Sequence, residues 1–267
     1  MLSRQFLVAM ALALASDAWA ATGVMADAKL QADLERVAHQ RIYFGHQSVG
    51  GNLLEGVQDL AAQSGVPIRI LEVTTASQVG PNTIGHTFIS ENRNPIGKLQ
   101  AFDQAVGAGP SGLNIALMKF CYLDIDGETD AKALFARYRA TVDGIRLRNP
   151  GLNIVHVTAP LTEVQSGPKA YIKRMLGRPP YGAVENQRRE QYNTLLRQTY
   201  GGRDPIFDLA RLESVAPDGK NVTGEWNGQL APAMAPSYSD DGGHLNKVGR
   251  LQAARELVSV LAAIPVR

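Results

Sequence analysis

The sequence predicts an α/β protein, a three-layer α/β/α sandwich built on a mainly parallel sheet of about five strands. Three observations lead there. Short apolar runs alternate with longer segments whose apolar residues recur at helical spacing, which is the pattern of consecutive βα units. One run, residues 113–120, is strongly apolar and lies between Gly- and Pro-containing stretches, as suits a strand covered on both faces of a parallel sheet. The length, 267 residues less an expected leader of about twenty, fits one large domain, because chains of roughly 200–250 residues routinely fold around a single α/β core.

The elements follow in chain order. Arg4, an apolar run over 6–15 and then Ala18-Trp19-Ala20 form a leader with a small-x-small cleavage pattern, so a signal peptide is expected over 1–20 and a single domain over 21–267. The mature protein is then expected in the periplasm or outside the cell. The apolar run is too short for a spanning helix, which needs roughly 20 residues, and no membrane-spanning segment is expected after cleavage. Residues 27–40 place Leu30, Leu34 and Val37 on one helical face, and 41–45 read as a short buried strand. A helix over 49–62 ends at Gly65-Val66-Pro67, and a second strand covers 68–73. Residues 74–95, rich in Gly, Asn, Ser and Thr, read as a long loop. A helix over 98–106, the apolar strand, a helix over 130–148 and a strand over 152–158 stopped by Ala159-Pro160 come next. After a loop with Tyr171 and Tyr181, a polar, Arg-rich helix covers 184–200, a strand 204–209, and a closing helix 247–263.

Composition removes several function classes. The formal net charge is +2, Arg4 and Asp17 of the leader cancel, and no basic stripe emerges, so nucleic acid is not an expected partner. Cys121 is the single cysteine, which excludes an internal disulfide and CxxC metal or redox motifs.

Two segments carry candidate chemistry. The first is Asp241-Gly242-Gly243-His244 just before the closing helix. A carboxylate three residues ahead of a histidine, across a Gly-Gly turn, can fold back on Nδ1, fix the tautomer and leave Nε2 free to take a proton. The same residues also suit a plain helix cap by Asp241 and Asn246. The second is Gly45-His46-Gln47-Ser48-Val49-Gly50-Gly51, where the first strand turns into a helix. A serine there lies at the sheet edge, and its own N–H points at an incoming oxyanion. It also suits a simple N-cap.

Taken together the two segments resemble the SGNH/GDSL hydrolase superfamily, with its strand, Gly-Asp-Ser, helix opening and its Asp-x-x-His block before the final helix. His156-Val157-Thr158-Ala159-Pro160, the helix with Asn193 and the strand ending Phe207-Asp208-Leu209 also fall where that superfamily has them. The resemblance implies a flavodoxin-like sheet, Ser48 as nucleophile, His244 as general base and Asp241 as its orienter, with Asp240 a rival lacking the spacing. It implies an oxyanion hole from Ser48 and Gly97, with Gly85 as the alternative, and neither a metal nor another cofactor. The departures are Gly-His-Gln-Ser in place of Gly-Asp-Ser and no asparagine within residues 119–124. The implied activity is hydrolysis or transfer of small acyl groups, with a small-molecule or polysaccharide ester as partner and O-acetyl groups on a carbohydrate as the expected target. Tyr171, Tyr181, Trp226 and Tyr238 are candidates for stacking on sugar rings. The rival reading from another class is an exported carbohydrate-binding protein that keeps the cleft without turnover. A zinc site from His46, His86, Asp241 and His244 lacks the close helical ligand spacing of zinc hydrolases. Cys121 reads as a buried strand-end residue rather than a nucleophile, and His156 as a strand residue.

Overall fold

The computed structural model describes residues 27–107 and 111–266. The leader expected over 1–20 lies outside the described residues. The elements are helix α1 (residues 27–38), β1 (Arg41–His46), α2 (Ser48–Gln63), β2 (Arg69–Glu72), β3 (Thr83–Phe88), α3 (Pro95–Val106), β4 (Ile115–Met118) and α4 (Ala131–Arg148). They continue with β5 (Asn153–Val157), α5 (Gly167–Met175), α6 (Ala183–Tyr200), β6 (Ile206–Phe207), α7 (Leu209–Glu213), a β7–β8 hairpin (Thr223–Trp226 and Gln229–Pro232) and α8 (Lys247–Ala262).

The main sheet has six strands in the order β2-β3-β1-β4-β5-β6, every neighbouring pair parallel. The predicted α/β/α sandwich is present, with one strand more than expected. That strand is β3, which lies inside the stretch read as a long loop. Its sequence, Thr-Ile-Gly-His-Thr-Phe, has no apolar run, yet it inserts between β2 and β1. Gly85 is the reason a strand fits there: a Cβ on it would sit 2.4 Å from Val79 Cγ2, so bare backbone lets the neighbouring turn close over the strand. The loop expected to carry Tyr171 and Tyr181 also contains a helix, α5, and the last strand shrinks to Ile206–Phe207.

Alternation along the strands divides the core in two. Ile42, Phe44, Leu117, Val155 and Val157 face α1, α2 and α8, whereas Tyr43, Ala116, Met118 and Ile154 face α3, α4 and α6. The first face brings two helix N-termini together. At Gly56 of α2 a Cβ would lie 2.5 Å from the Arg250 carbonyl oxygen of α8, so the two helices meet backbone to backbone. Arg250 adds bonds to Glu55 at 3.0 Å and Asp59 at 2.7 Å. Because both helices start at the carboxyl edge of the sheet, the residues that open α2 and α8 end up side by side.

Candidate active site

Ser48 opens α2 directly behind β1. The residue before it, Gln47, is extended and makes no side-chain cap, so the first N–H groups of the helix, Ser48's among them, are those a helix leaves without intrahelical partners. The turn is held from beneath. His46 is fully buried and packs its ring between Phe44 and Phe88, with centroids at 4.8 and 5.0 Å. A Cβ at Gly50 would fall 2.3 Å from His46 Cβ, so only glycine allows α2 to begin over that ring. His46 Nδ1 lies 2.9 Å from the Gln47 carbonyl oxygen, which places the proton on Nδ1 and leaves Nε2 to accept from His86 Nδ1 at 3.1 Å. Burial lowers the His46 pKa to about 4, with smaller downward contributions from His86 and Lys119, and the ring is neutral at pH 7. The Gln47 amide donates to the carbonyl oxygens of Ile89 and Ser90 and so ties this turn to the chain leaving β3.

His244 and Asp241 come from the turn ahead of α8. Asp241 Oδ2 is 2.6 Å from His244 Nδ1, and His244 Nε2 is 2.9 Å from Ser48 Oγ, across 196 positions of sequence. The carboxylate is held by its own turn: Asp241 Oδ1 accepts from the N–H of His244 at 2.8 Å and of Gly243 at 2.9 Å. Those bonds, the His244 N–H first, hold its pKa well below the usual carboxylate range despite partial burial. Ser239 braces the same turn, lying 2.7 Å from the His244 carbonyl oxygen and accepting from Gly242 N–H at 2.9 Å. Gly242 has φ 83°, a left-handed conformation glycine adopts without strain. Asp240 points elsewhere and accepts from Asn246 at 3.2 Å.

Buried polar groups fix the surrounding loops. Tyr122, in the segment 119–124 where the resemblance leads one to look for an asparagine, sets its ring edge-on to His244 at 5.7 Å. Its carbonyl oxygen accepts from the buried Arg189 guanidinium at 3.2 and 2.7 Å. The Lys98–Asp124 pair, wholly buried at 2.6 Å, links α3 to the loop after β4, and Asp124 also accepts from the N–H groups of Arg93 and Cys121. Asn193 of α6 brackets the backbone of Ala159 at 2.7 and 3.0 Å, and Asn186 does the same for Thr162 at 3.1 and 2.7 Å. Glu163 N–H then bonds Gly242 at 2.9 Å, joining the β5 exit to the His244 turn.

Some expectations need correction. Gly97 is not free to serve an oxyanion: it lies within the first turn of α3, and its N–H is taken by the N-cap Asn94 Oδ1 at 2.8 Å. Gly85 lies inside β3 opposite Tyr43 and Leu71, serving close packing. Tyr238 is buried in the core beside α8 rather than presented to a ligand. His46 and His86 bond to one another, whereas Asp241 and His244 pair with each other and with Ser48. Cys121 is buried and its thiol is free. His156 is also buried, stacked at 3.5 Å on Tyr200 and bonded to the Tyr138 hydroxyl at 2.7 Å.

The fold is an α/β/α sandwich on a six-stranded parallel sheet. No family model matches the sequence, and no curated protein matches it either. The likeness lies with solved structures. One, from Streptococcus pneumonia and named for platelet activating factor, shares 14% identity at a TM-score of 0.50, covering 95% of this chain and 99% of that one. An acetyl xylan esterase from Geobacillus stearothermophilus shares 14% at 0.41, over 85% and 97% of the two chains. The periplasmic domain of a lipopolysaccharide acetyltransferase from Salmonella ser. Paratyphi A shares 14% at 0.43, over 82% of each. At such identities the likeness is one of fold.

Proposed function

We propose that this protein is an exported serine esterase that hydrolyses or transfers small acyl groups, with O-acetyl esters on a carbohydrate as its substrate class. The observation that carries the reading is the hydrogen-bonded series Asp241–His244–Ser48, at 2.6 and 2.9 Å, at the carboxyl edge of the sheet. In this reading His244 Nε2 takes the Ser48 proton as Oγ bonds to the ester carbonyl carbon, and Asp241 steadies the imidazolium that forms. The oxyanion develops against the N-terminus of α2, where Ser48 N–H and the helix dipole face it. His244 then protonates the departing alcohol, and water, activated by the same nitrogen, releases the acyl group and restores Ser48. An acceptor alcohol in place of water makes the reaction a transfer. Export rests on the leader pattern of residues 1–20; among the described residues no helix is long and apolar enough to cross a membrane. The carbohydrate ester as target rests on the resemblance of the two sequence blocks.

The test is covalent labelling with a fluorophosphonate, which reports an activated serine whatever the natural ester. Labelling that disappears in Ser48→Ala supports the enzyme. A folded wild type that resists the probe and leaves p-nitrophenyl acetate intact supports the non-catalytic binding protein instead.

A further inference from the structure

Between β5 and α6 the chain makes an excursion that carries α5 outward. Its base is closed by Gln165 N–H bonded to Tyr181 O at 2.9 Å and Tyr181 N–H bonded to the Gln165 side chain at 3.3 Å. Two residues earlier, Glu163 N–H holds Gly242, so the excursion is rooted in the turn that bears Asp241 and His244. On α5 itself only Ala170 is buried. At 3.6 residues per turn, Tyr171, Ile172, Met175 and the adjoining Leu176 share an arc of about 140° on the side away from Ala170. These four side chains are 65%, 57%, 72% and 66% exposed, a contiguous apolar face that an isolated soluble helix does not need.

Charge identifies what this face suits. Lys169 and Arg174 border the apolar arc on its two sides, Lys173 and Arg178 lie nearby, and residues 164–182 contain no Asp or Glu. None of the four cations forms an ion pair with a described carboxylate. A second copy of the same face would set cations against cations, and an uncharged apolar partner would leave them unused. We propose that α5 docks the active-site edge onto an anionic phospholipid bilayer, its apolar arc in the headgroup boundary and its lysines and arginines at the level of the phosphates.

The experiment is co-sedimentation of the full chain with vesicles of phosphatidylcholine alone and of phosphatidylcholine mixed with phosphatidylglycerol, at low and high salt. The apolar run over 6–15 is the same in every arm, so a difference between arms reports on the changed side chains of α5. The wild type is expected to prefer the mixed vesicles, and less so at high salt. Ile172→Ser with Met175→Ser is expected to lower partition at least roughly tenfold. Lys169→Gln with Arg174→Gln is expected to weaken the preference for anionic lipid by roughly fivefold per charge, with Lys173 and Arg178 left to hold the remainder. Hydrolysis of soluble p-nitrophenyl acetate should be unchanged in both variants, which keeps this test separate from that of the serine mechanism. The proposal is overturned by no binding, by equal binding to both vesicles, by variants that bind like the wild type, or by a dimer in sedimentation velocity that the Ile172 and Met175 changes dissolve.

Discussion

The two halves of the candidate site are held in opposite ways. The Ser48 half is anchored in the protein interior: a buried imidazole lies beneath it, the core strand β1 leads into it, and Gln47 ties it to a loop some forty positions away. The Asp241–His244 half is a surface turn, with the two side chains 56% and 39% exposed, and most of the bonds that shape it run within residues 239–244, with Glu163 N–H reaching Gly242 from the β5 exit. Long-range packing fixes the first half and short-range hydrogen bonding fixes the second. A substitution in the first half should therefore damage fold and activity together, whereas one in the second should damage activity with the fold intact.

The largest expected effects lie at the point where the halves meet. Ser48→Ala and His244→Ala should each lower kcat for p-nitrophenyl acetate by about 10⁶, and Asp241→Asn by roughly 10⁴, while Asp240→Asn stays within about twofold because its carboxylate faces Asn246. An Asp240→Asn loss larger than the Asp241→Asn loss would mean that the wrong carboxylate has been assigned to the imidazole. The next effect separates the halves. Gly50→Ala forces a methyl into the buried His46 ring and should cost about 1–3 kcal/mol, with a melting point lower by several degrees. Gly243→Ala meets the half-buried Tyr122 ring at 2.9 Å, and should reduce kcat about tenfold with a smaller change in melting temperature than Gly50→Ala. Equal thermal losses from both glycine variants would erase the distinction.

Smaller still, Ser239→Ala removes one brace of the His244 turn and should cost about 1 kcal/mol or less of stability, with kcat falling more than KM changes. The last effect is a dependence on pH. His46 titrates at about 4 and His156 at about 3 because burial disfavours their charged forms, and burial lowers His86 too. A histidine whose folded pKa lies below its unfolded value near 6.5 gives stability that is fully present above about pH 6.5. That stability is lost as pH falls toward the folded values, because the unfolded chain takes up the protons first. Thermal melts should therefore decline from pH 6.5 to 4, by on the order of 2 kcal/mol per buried ring. His46→Gln and His156→Gln should each flatten the decline, and an unchanged slope in both would remove the explanation.

The same contrast explains what could be read from sequence. The His244 turn was legible because its geometry is written within four consecutive residues, Asp241 to His244. The central strands were legible from their apolar runs, and Ser48 from its place between a strand and a helix. β3 was hidden because Thr83, His86 and Thr87 carry no strand periodicity, and its position depends on a glycine fitting beneath Val79. The polarity of α6 reflects buried Asn186, Arg189 and Asn193 clasping the chain around Ala159, Thr162 and Tyr122. Polar side chains used inside a fold look the same in sequence as those turned toward water. A glycine at the start of a helix serves capping and oxyanion binding equally well in sequence, and the Asn94 bond to Gly97 N–H is visible only in the structure.

The packing of α2 against α8 bears on how the protein comes into being. Ser48 is made early in synthesis and His244 nearly two hundred residues later, so in the proposed reading a growing chain holds a nucleophile with no base until α8 emerges and docks. Contacts of such wide sequence separation form late and slowly, and the Gly56–Arg250 approach is one of them. If the proposed reading holds, labelling by an activated-serine probe doubles as a reporter that folding has run to completion.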